Sequence, residues 1–295
     1  MKKPTFGICA PSSYVDHERL QLGLDRLKFL GHDVIVHPQT YYRFKQTQMA
    51  GTTAEKIAAI YDLMSEPRID IVMAAAGGQT AGHLLDQLDF KKFTKPLMGY
   101  SDTTALLNAA YAKTGNIQYH GPAVVTFRPD RFDQNAYDQM LEVILDTAHH
   151  IPQSKTLTII KSGYSTGNLI GGNLSTFLHL LHTPWCPNLS GAILFFEDIG
   201  EELSSLDRTL NYFRMLGLFD RAAGIIFGQF TDMTDRGRPF GLTAEEIIRT
   251  HTKDSTGPVI MNAPFGHTGM LMTYPIGATA TLLAGNNNIT LTLEK

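Results

Sequence analysis

Cysteine is nearly missing from this chain of 295 residues, which holds only Cys9 and Cys186, far apart in sequence. That scarcity excludes a disulfide-stapled scaffold and a thiolate zinc cluster, and it suits a reducing compartment. An excess of one charge is missing too. The 25 Lys and Arg against 28 Asp and Glu leave a formal net charge of -3, so no broad basic surface is available to neutralise phosphates and nucleic acid is not an expected partner. Long hydrophobic runs are absent as well. The start, Met1-Lys2-Lys3-Pro4-Thr5-Phe6-Gly7, carries two positive charges but only a short apolar stretch, broken at Pro11, Ser12 and Ser13. It reads as neither a signal peptide nor a membrane span, which makes a cytoplasmic location the expectation and a membrane partner not one. There is no His-Glu-x-x-His, no Gly-Lys-Ser/Thr phosphate loop, no internal repeat and no low-complexity tract.

What is present is ordinary globular composition, 43% hydrophobic and 18% charged, in a chain longer than a single core usually supports. The first half alternates β-rich apolar runs with amphipathic stretches. Strands are expected over Thr5–Ala10, His32–His37 and Ile69–Ala76, and helices over His17–Leu30 and Thr53–Ser65, the second capped by Thr52 or Thr53. Strands separated by helices argue for a parallel sheet covered on both faces. Ligands bind beyond the carboxyl ends of such strands, so the loops Pro11-Ser12-Ser13, Gly77-Gly78-Gln79 and Tyr100-Ser101-Asp102 should gather on one edge.

From about Asp130 the pattern weakens into a polar helix, Asn135–Thr147, a β-rich stretch, Thr156–Lys161, and the small-residue run from Ser162 to Gly167, read as a crossover. Beyond it come an apolar strand, Gly191–Phe196, a helix over Ser204–Leu216, a strand over Gly224–Phe230 and a β-rich tail, Gly277–Leu293, with a turn at Gly285-Asn286-Asn287. The expectation is an α/β protein: an N-terminal parallel-sheet α/β layer domain over 1–148, a crossover over 149–166, and a smaller strand-rich C-terminal α/β domain over 167–295.

Ser101 lies between a strand and a helix, which is the layout of a nucleophile elbow, where a sharp turn exposes the hydroxyl and the helix N-terminus offers free N–H groups to an oxyanion. It is equally the layout of a helix cap. The local Gly-x-Ser-x-Thr differs from the Gly-x-Ser-x-Gly of α/β-hydrolases. A nucleophilic serine needs a base and the base an orienter. Glu197 and Asp198, after the apolar run Gly191–Phe196, are the candidate acids, with a strand-end salt bridge as the plain alternative. His267, in the glycine-flanked Pro264-Phe265-Gly266-His267, and His120 compete for the base, whereas His179 and His182 read as packing or surface residues on one helical face. Gly77-Gly78 allows close backbone approach and can supply N–H donors, or is simply a tight turn. His179 with His182 lacks a third metal ligand, and no cofactor or metal is expected.

Several blocks, in order, resemble the signatures of the LD-carboxypeptidases: Gly99-Tyr100-Ser101-Asp102-Thr103-Thr104, His120-Gly121-Pro122, Gly171-Gly172-Asn173-Leu174-Ser175, Leu194-Phe195-Phe196-Glu197-Asp198 with Asp207-Arg208, Gly217-Leu218-Phe219-Asp220 ahead of Gly224-Ile225-Ile226-Phe227-Gly228, and Pro264-Phe265-Gly266-His267. These are serine peptidases of the murein-recycling type, a family that also contains microcin C self-immunity peptidases. The resemblance implies Ser101 as nucleophile, Glu197 as orienter and His267 as base, with the backbone N–H groups of Gly78 and Asp102 as the oxyanion hole. It implies a small peptide substrate, either a murein tetrapeptide cut before its terminal D-residue or a peptidyl-nucleotide antibiotic, and a homodimer without cofactor. A basic group should hold the substrate carboxylate, with Arg208 and Lys161 as the candidates. One block departs from the pattern: where many members carry Arg-Gly-Gly-Tyr-Gly, this chain has Ala76-Gly77-Gly78-Gln79-Thr80. A non-catalytic peptide-binding module is the remaining alternative.

Overall fold

In the computed structural model, which describes residues 3–145, 148–151, 157–285 and 288–294, the first half winds back and forth through a parallel sheet. Its elements are β1 (Phe6–Cys9), α1 (His17–Phe29), β2 (Val34–Val36), α2 (Thr53–Ser65), β3 (Ile71–Ala74), β4 (Leu97–Gly99), α3 (Thr104–Thr114), β5 (Gln118–His120) and α4 (Gln134–Leu145). All four residues of β1 and of β3 are buried, as expected of parallel strands covered on both faces. The helices start where their caps dictate. Asp16 accepts from the backbone of Glu18 and Arg19 at the head of α1, and Thr52 and Glu55 form a reciprocal capping box on α2.

The second half contributes β6 (Ala148–Ile151), β7 (Thr158–Lys161), β8 (Gly163–Asn173), α5 (Leu174–Leu178), β9 (Ile193–Ile199), α6 (Leu203–Met215), α7 (Leu218–Arg221), β10 (Gly224–Thr231), α8 (Ala244–Thr252), β11 (Val259–Met261), β12 (Tyr274–Ile276), β13 (Thr279–Gly285) and β14 (Asn288–Glu294). The strands run in the order β12-β5-β4-β3-β1-β2 in one sheet and β6-β14-β13-β8-β9-β10-β11-β7 in the other. The fold is therefore α/β, with parallel pairing from β2 to β5 in the first sheet and mixed pairing in the second.

Three expectations need correction. The residues read as a crossover carry β6, β7 and the start of β8, all members of the second sheet, because each finds an edge or a partner there. The strand expected to stop at Phe196 continues through Glu197 and Asp198 to Ile199, since its pairing with β8 and β10 supplies the backbone partners that apolar content alone did not signal. Finally, β12 leaves the C-terminal half and pairs antiparallel with β5, Tyr274 opposite His120 and Ile276 opposite Gln118. Part of the polar helix and of the Thr156–Lys161 stretch, and the Asn286-Asn287 turn, fall outside the described residues.

Candidate active site

Between β4 and α3 the chain reverses direction through a 3₁₀ turn, Ser101–Thr103. Ser101 takes the left-handed conformation, with φ of 59°, which costs a residue bearing a Cβ about 1–2 kcal/mol. Its hydroxyl caps neither the 3₁₀ turn nor α3, so the helix-cap expectation is not met. The backbone instead adopts the strained strand-to-helix turn that lifts the side chain clear of the sheet. Ser101 is half-buried, at the carboxyl edge of the parallel strands.

A buried carboxylate next door holds this turn in place. Asp102 accepts from the Ser12 hydroxyl and, at 2.7 Å, from the Ala81 backbone N–H. Ser12 Oγ accepts in turn from the Thr80 N–H at 3.1 Å, and the buried Lys56 donates to Thr80 Oγ1 at 2.8 Å. Burial lowers the Lys56 pKa, and the Asp102 charge opposes that shift. The three loops expected to gather on one edge are thus tied together by side chains. A Cβ on Gly77 would stand 2.7 Å from Ser101 Cβ, and one on Gly78, at φ 148°, only 2.1 Å from Ser13 Oγ. Glycine suits both positions, Gly77 because its backbone lies against Ser101 and Gly78 because it adopts a positive φ with Ser12 and Ser13 packed on it. The position of that absent Gly77 Cβ is 3.5 Å from the Asp102 nitrogen, so the Gly77-Gly78 loop and the first N–H of the turn lie side by side.

Glu197 is fully buried and its Oε2 meets His267 Nδ1 at 2.8 Å, with the imidazole 11% exposed. The His267 ring packs 5.0 Å from that of Tyr100, the residue preceding Ser101. The structure therefore lines one cleft with Gly78, Ser101 and Asp102 and sets the Glu197–His267 pair against Tyr100, the residue next to Ser101. His120 lies behind the pair, within reach of the Glu197 and His267 charges, but it is wholly buried between Phe195 and Phe265 at ring distances of 5.4 and 6.0 Å, with neither nitrogen hydrogen-bonded among the described residues. Burial pushes its pKa down to about 4, so the ring is neutral at pH 7. Asp198, adjacent to Glu197 on β9, serves a different purpose. Its carboxylate accepts from Asn173 Nδ2 at 2.9 Å and from the Ser175 N–H at 3.0 Å, shaping the turn after β8, while burial and then the Glu197 charge raise its pKa to about 6.

A cleft of about 640 Å³ opens at Ser101, walled by Gln79, Asn173, His179, Trp185 and Glu201. His179 and His182 do not share a helical face, because α5 ends at Leu178; His179 turns back on Ser175 O at 2.7 Å and lines the cleft. The cations suggested for the substrate carboxylate lie elsewhere. Lys161 is spent on the Ser255 carbonyl, and Arg208 is exposed on α6 away from the cleft walls. Sequence reasoning missed Lys56 although the signal was available: it falls in the stripe Lys56-Ala59-Ile60-Leu63 at helical spacing, a charge on an otherwise buried face.

With this geometry in view, the likeness to known proteins is specific. Residues 6–121 match the LD-carboxypeptidase N-terminal domain and residues 166–282 the LD-carboxypeptidase C-terminal domain. The chain is 30% identical over 290 residues to the probable murein peptide carboxypeptidase of Bacillus subtilis, covering 95% of this chain and 89% of that protein. It is 27% identical to the microcin C7 self-immunity protein MccF of Escherichia coli, over 97% of this chain and 92% of that one. The crystal structure of muramoyltetrapeptide carboxypeptidase from Oxalobacter formigenes superposes with a TM-score of 0.88 at 27% identity, covering 99% of both chains.

Two stability measurements follow from the strained and buried groups. Ser101→Gly removes the Cβ penalty that Ser101→Ala keeps, so the glycine variant is expected to melt about 2 °C above the alanine variant; an equal or lower melting temperature means the turn stores no strain. For His120 the folded pKa of about 4 lies below the ordinary imidazole value of 6.5. Between those values the unfolded chain binds the extra proton, so stability falls as pH drops through that window and is unaffected above it. Asp198 acts in the opposite sense, since its raised pKa stabilises the acid side. The difference in urea-unfolding free energy between wild type and His120→Asn isolates the histidine; it should shrink steadily from pH 6.5 down to 4.5, and parallel curves contradict the assignment.

Proposed function

This chain belongs to the LD-carboxypeptidase family of serine peptidases, and we propose that it hydrolyses the amide between an L centre and a terminal D-residue in murein tetrapeptides. The observation that carries the reading is the buried Glu197–His267 pair beside the strained Ser101 turn. In the proposed reaction His267 Nδ1–H donates to Glu197, which fixes the tautomer and leaves Nε2 free to take the Ser101 proton. Ser101 Oγ adds to the carbonyl carbon, and the resulting oxyanion sits against the N–H groups of Gly78 and Asp102. Protonated His267 then gives the proton to the leaving amine as the C–N bond breaks, and water, activated by the same imidazole, hydrolyses the acyl-enzyme.

Burial is what makes Glu197 suited to this role. A carboxylate fully removed from water holds the developing imidazolium far more firmly than an exposed one. No metal or cofactor is needed for any step. The cleft of about 640 Å³ has room for the acyl or leaving portion of a short peptide. A second reading is supported by the MccF relative: a serine hydrolase of the same mechanism that cleaves a peptidyl-nucleotide antibiotic, with Trp185 in the cleft wall as an aromatic surface for a base. No helix among the described residues is long and apolar enough to cross a membrane, and the reading carries with it a cytoplasmic homodimer, as the resemblance implies.

Ser101→Ala should remain folded and lose about a million-fold in turnover. Glu197→Gln should cost roughly ten-thousand-fold by disturbing the tautomer, and Asp198→Asn much less. His267→Ala should match Ser101→Ala. Retention of more than a few per cent of activity in Ser101→Ala, or equal losses at Glu197 and Asp198, removes those residues from the mechanism, and a fluorophosphonate that fails to label Ser101 leaves a binding module. Substrate is tested by initial rates at one enzyme concentration. Tetrapeptides ending in an L-to-D amide should be cleaved, the pentapeptide spared, and the lysine-containing tetrapeptide cut at least as fast as the diaminopimelate form. Cleavage of a peptidyl-adenylate mimic alone overturns the murein reading and upholds the second.

A further inference from the structure

A smaller cleft of about 250 Å³ adjoins the first, and it is built from cations. The two clefts meet the chain at neighbouring residues: the larger is walled by Gly78 and Ser101, the smaller by Ala76 and Tyr100. Three arginines, Arg19, Arg128 and Arg131, line the smaller one, against a single acid, Asp16. Asp16 is already engaged, its Oδ1 capping α1 through the N–H groups of Glu18 and Arg19. Arg128 is only 13% exposed; its Nη2 pairs with the exposed Asp130 at 2.9 Å, and its Nε is buried with no hydrogen-bond partner among the described residues. Arg19 and Arg131 are exposed and have no carboxylate partner among the described residues. Their position relative to the reaction centre is fixed by Tyr100, whose ring packs on His267. Burial raises the Tyr100 phenol, and the positive charge of Arg131, then of Arg128, works against that rise.

A half-buried arginine whose Nε has no partner among the described residues, together with two exposed guanidiniums that outnumber the one acid in the lining, is an arrangement that planar anions satisfy. Ala76 contributes only a methyl group to the lining. We infer that the cleft lined by Arg19, Arg128 and Arg131 is an anion subsite that takes a free carboxylate of the peptide substrate. The inference rests on the proposed peptidase reading and adds to it the residues that read substrate charge. Two carboxylates of a murein-type peptide have this chemistry, that of the terminal D-residue and that of an acidic residue on the acyl side.

Three substrates separate them: the tetrapeptide acid, the same peptide with its terminal carboxyl amidated, and the peptide with its acyl-side carboxyl amidated. Arg131→Gln should raise KM for the acid about ten-fold with kcat nearly unchanged, as loss of a charge-assisted contact made equally in ground and transition states requires. The ratio should fall towards one for whichever amide lacks the group the cleft holds, and Arg131→Lys should restore part of the loss for the acid. Added salt should raise KM in the wild type and have much less effect in Arg19→Gln/Arg131→Gln. Equal KM ratios on all three peptides, or no change in KM, overturn the subsite. If the wild-type enzyme cleaves none of these peptides, the peptidase reading fails first; calorimetry of the tetrapeptide acid with Ser101→Ala and with Ser101→Ala/Arg131→Gln then decides the subsite alone. A roughly ten-fold weaker Kd in the double variant upholds it, and equal affinity overturns it.

Discussion

The short antiparallel pairing of β12 with β5 is the contact on which the site depends. Ser101 belongs to the first sheet, while Glu197 and His267 come from the second half of the chain. The loop that carries His267 runs from the end of β11 to the start of β12, so its far end is fixed to the first sheet by Tyr274 opposite His120 and Ile276 opposite Gln118. Around that pairing lies an aromatic packing of Phe195, Phe265 and Tyr274, with Phe265 and Tyr274 rings 4.5 Å apart and Phe195 stacked on Tyr274 at 5.4 Å. Phe265 is two residues before His267 and Phe195 two before Glu197. Core packing therefore sets the separation of Glu197 and His267 from the Ser101 turn, and tightly packed interiors transmit displacements rather than absorb them.

The same region holds the costs of the arrangement. Ser101 is strained, Glu197 Oε1 and both His120 nitrogens are buried without hydrogen-bond partners among the described residues, and two carboxylates sit on consecutive residues of β9. Strand geometry keeps the last of these tolerable. Successive side chains point to opposite faces, so Glu197 faces His267 while Asp198 faces Asn173 and Ser175, and each acid finds its own donors. Asp198 is relieved of part of its charge by a raised pKa, whereas Glu197 is met by an imidazole. Unmet polar atoms this deep in a protein destabilise it by about 1–3 kcal/mol each, and their concentration behind the serine fits a site where stability is given up for a preset electrostatic environment.

Much of this was legible before any coordinates. The Thr52 cap and Glu55 three residues on announce α2 to the residue, because capping is a local hydrogen-bond pattern written in consecutive side chains. The gathering of the loops after β1, β3 and β4 follows from strand-helix alternation alone. Other features are settled by partners distant in sequence. Nothing local distinguishes Ser162–Gly167 as strand rather than loop; the pairing of β8 with β13, about 115 residues away, makes it one, Thr166 opposite Thr281. The extension of β9 through Glu197 and Asp198 has the same origin. Local sequence could not choose between His120 and His267 either, since the choice rests on which imidazole the β5–β12 pairing buries and which it leaves beside Glu197. The cap reading of Ser101 failed for a complementary reason. Asp102, expected only as a backbone N–H donor to the oxyanion, also carries through its side chain the bonds to Ser12 and Ala81 that hold the turn, so the serine hydroxyl is not needed for structure.

That division of labour between neighbours separates the groups proposed for hydrolysis from the residues that line the clefts around them. The proposed hydrolytic groups are held by buried elements: Glu197 within a strand, Ser101 by the Asp102 network, His267 by the aromatic core. The groups that line the two clefts beyond the proposed reaction centre lie on loops, Trp185 and His179 beyond α5 on one side and Arg128 and Arg131 between β5 and α4 on the other. Loops tolerate substitution because few buried contacts depend on them. Under the proposed subsite, changing Arg131 alters which charges are read without touching the turn at Ser101, whereas changing Gly77 forces a Cβ against the serine itself. Selection can therefore move such a chain between peptide and peptidyl-nucleotide substrates by altering the walls, while the packing that aligns serine, histidine and glutamate stays fixed.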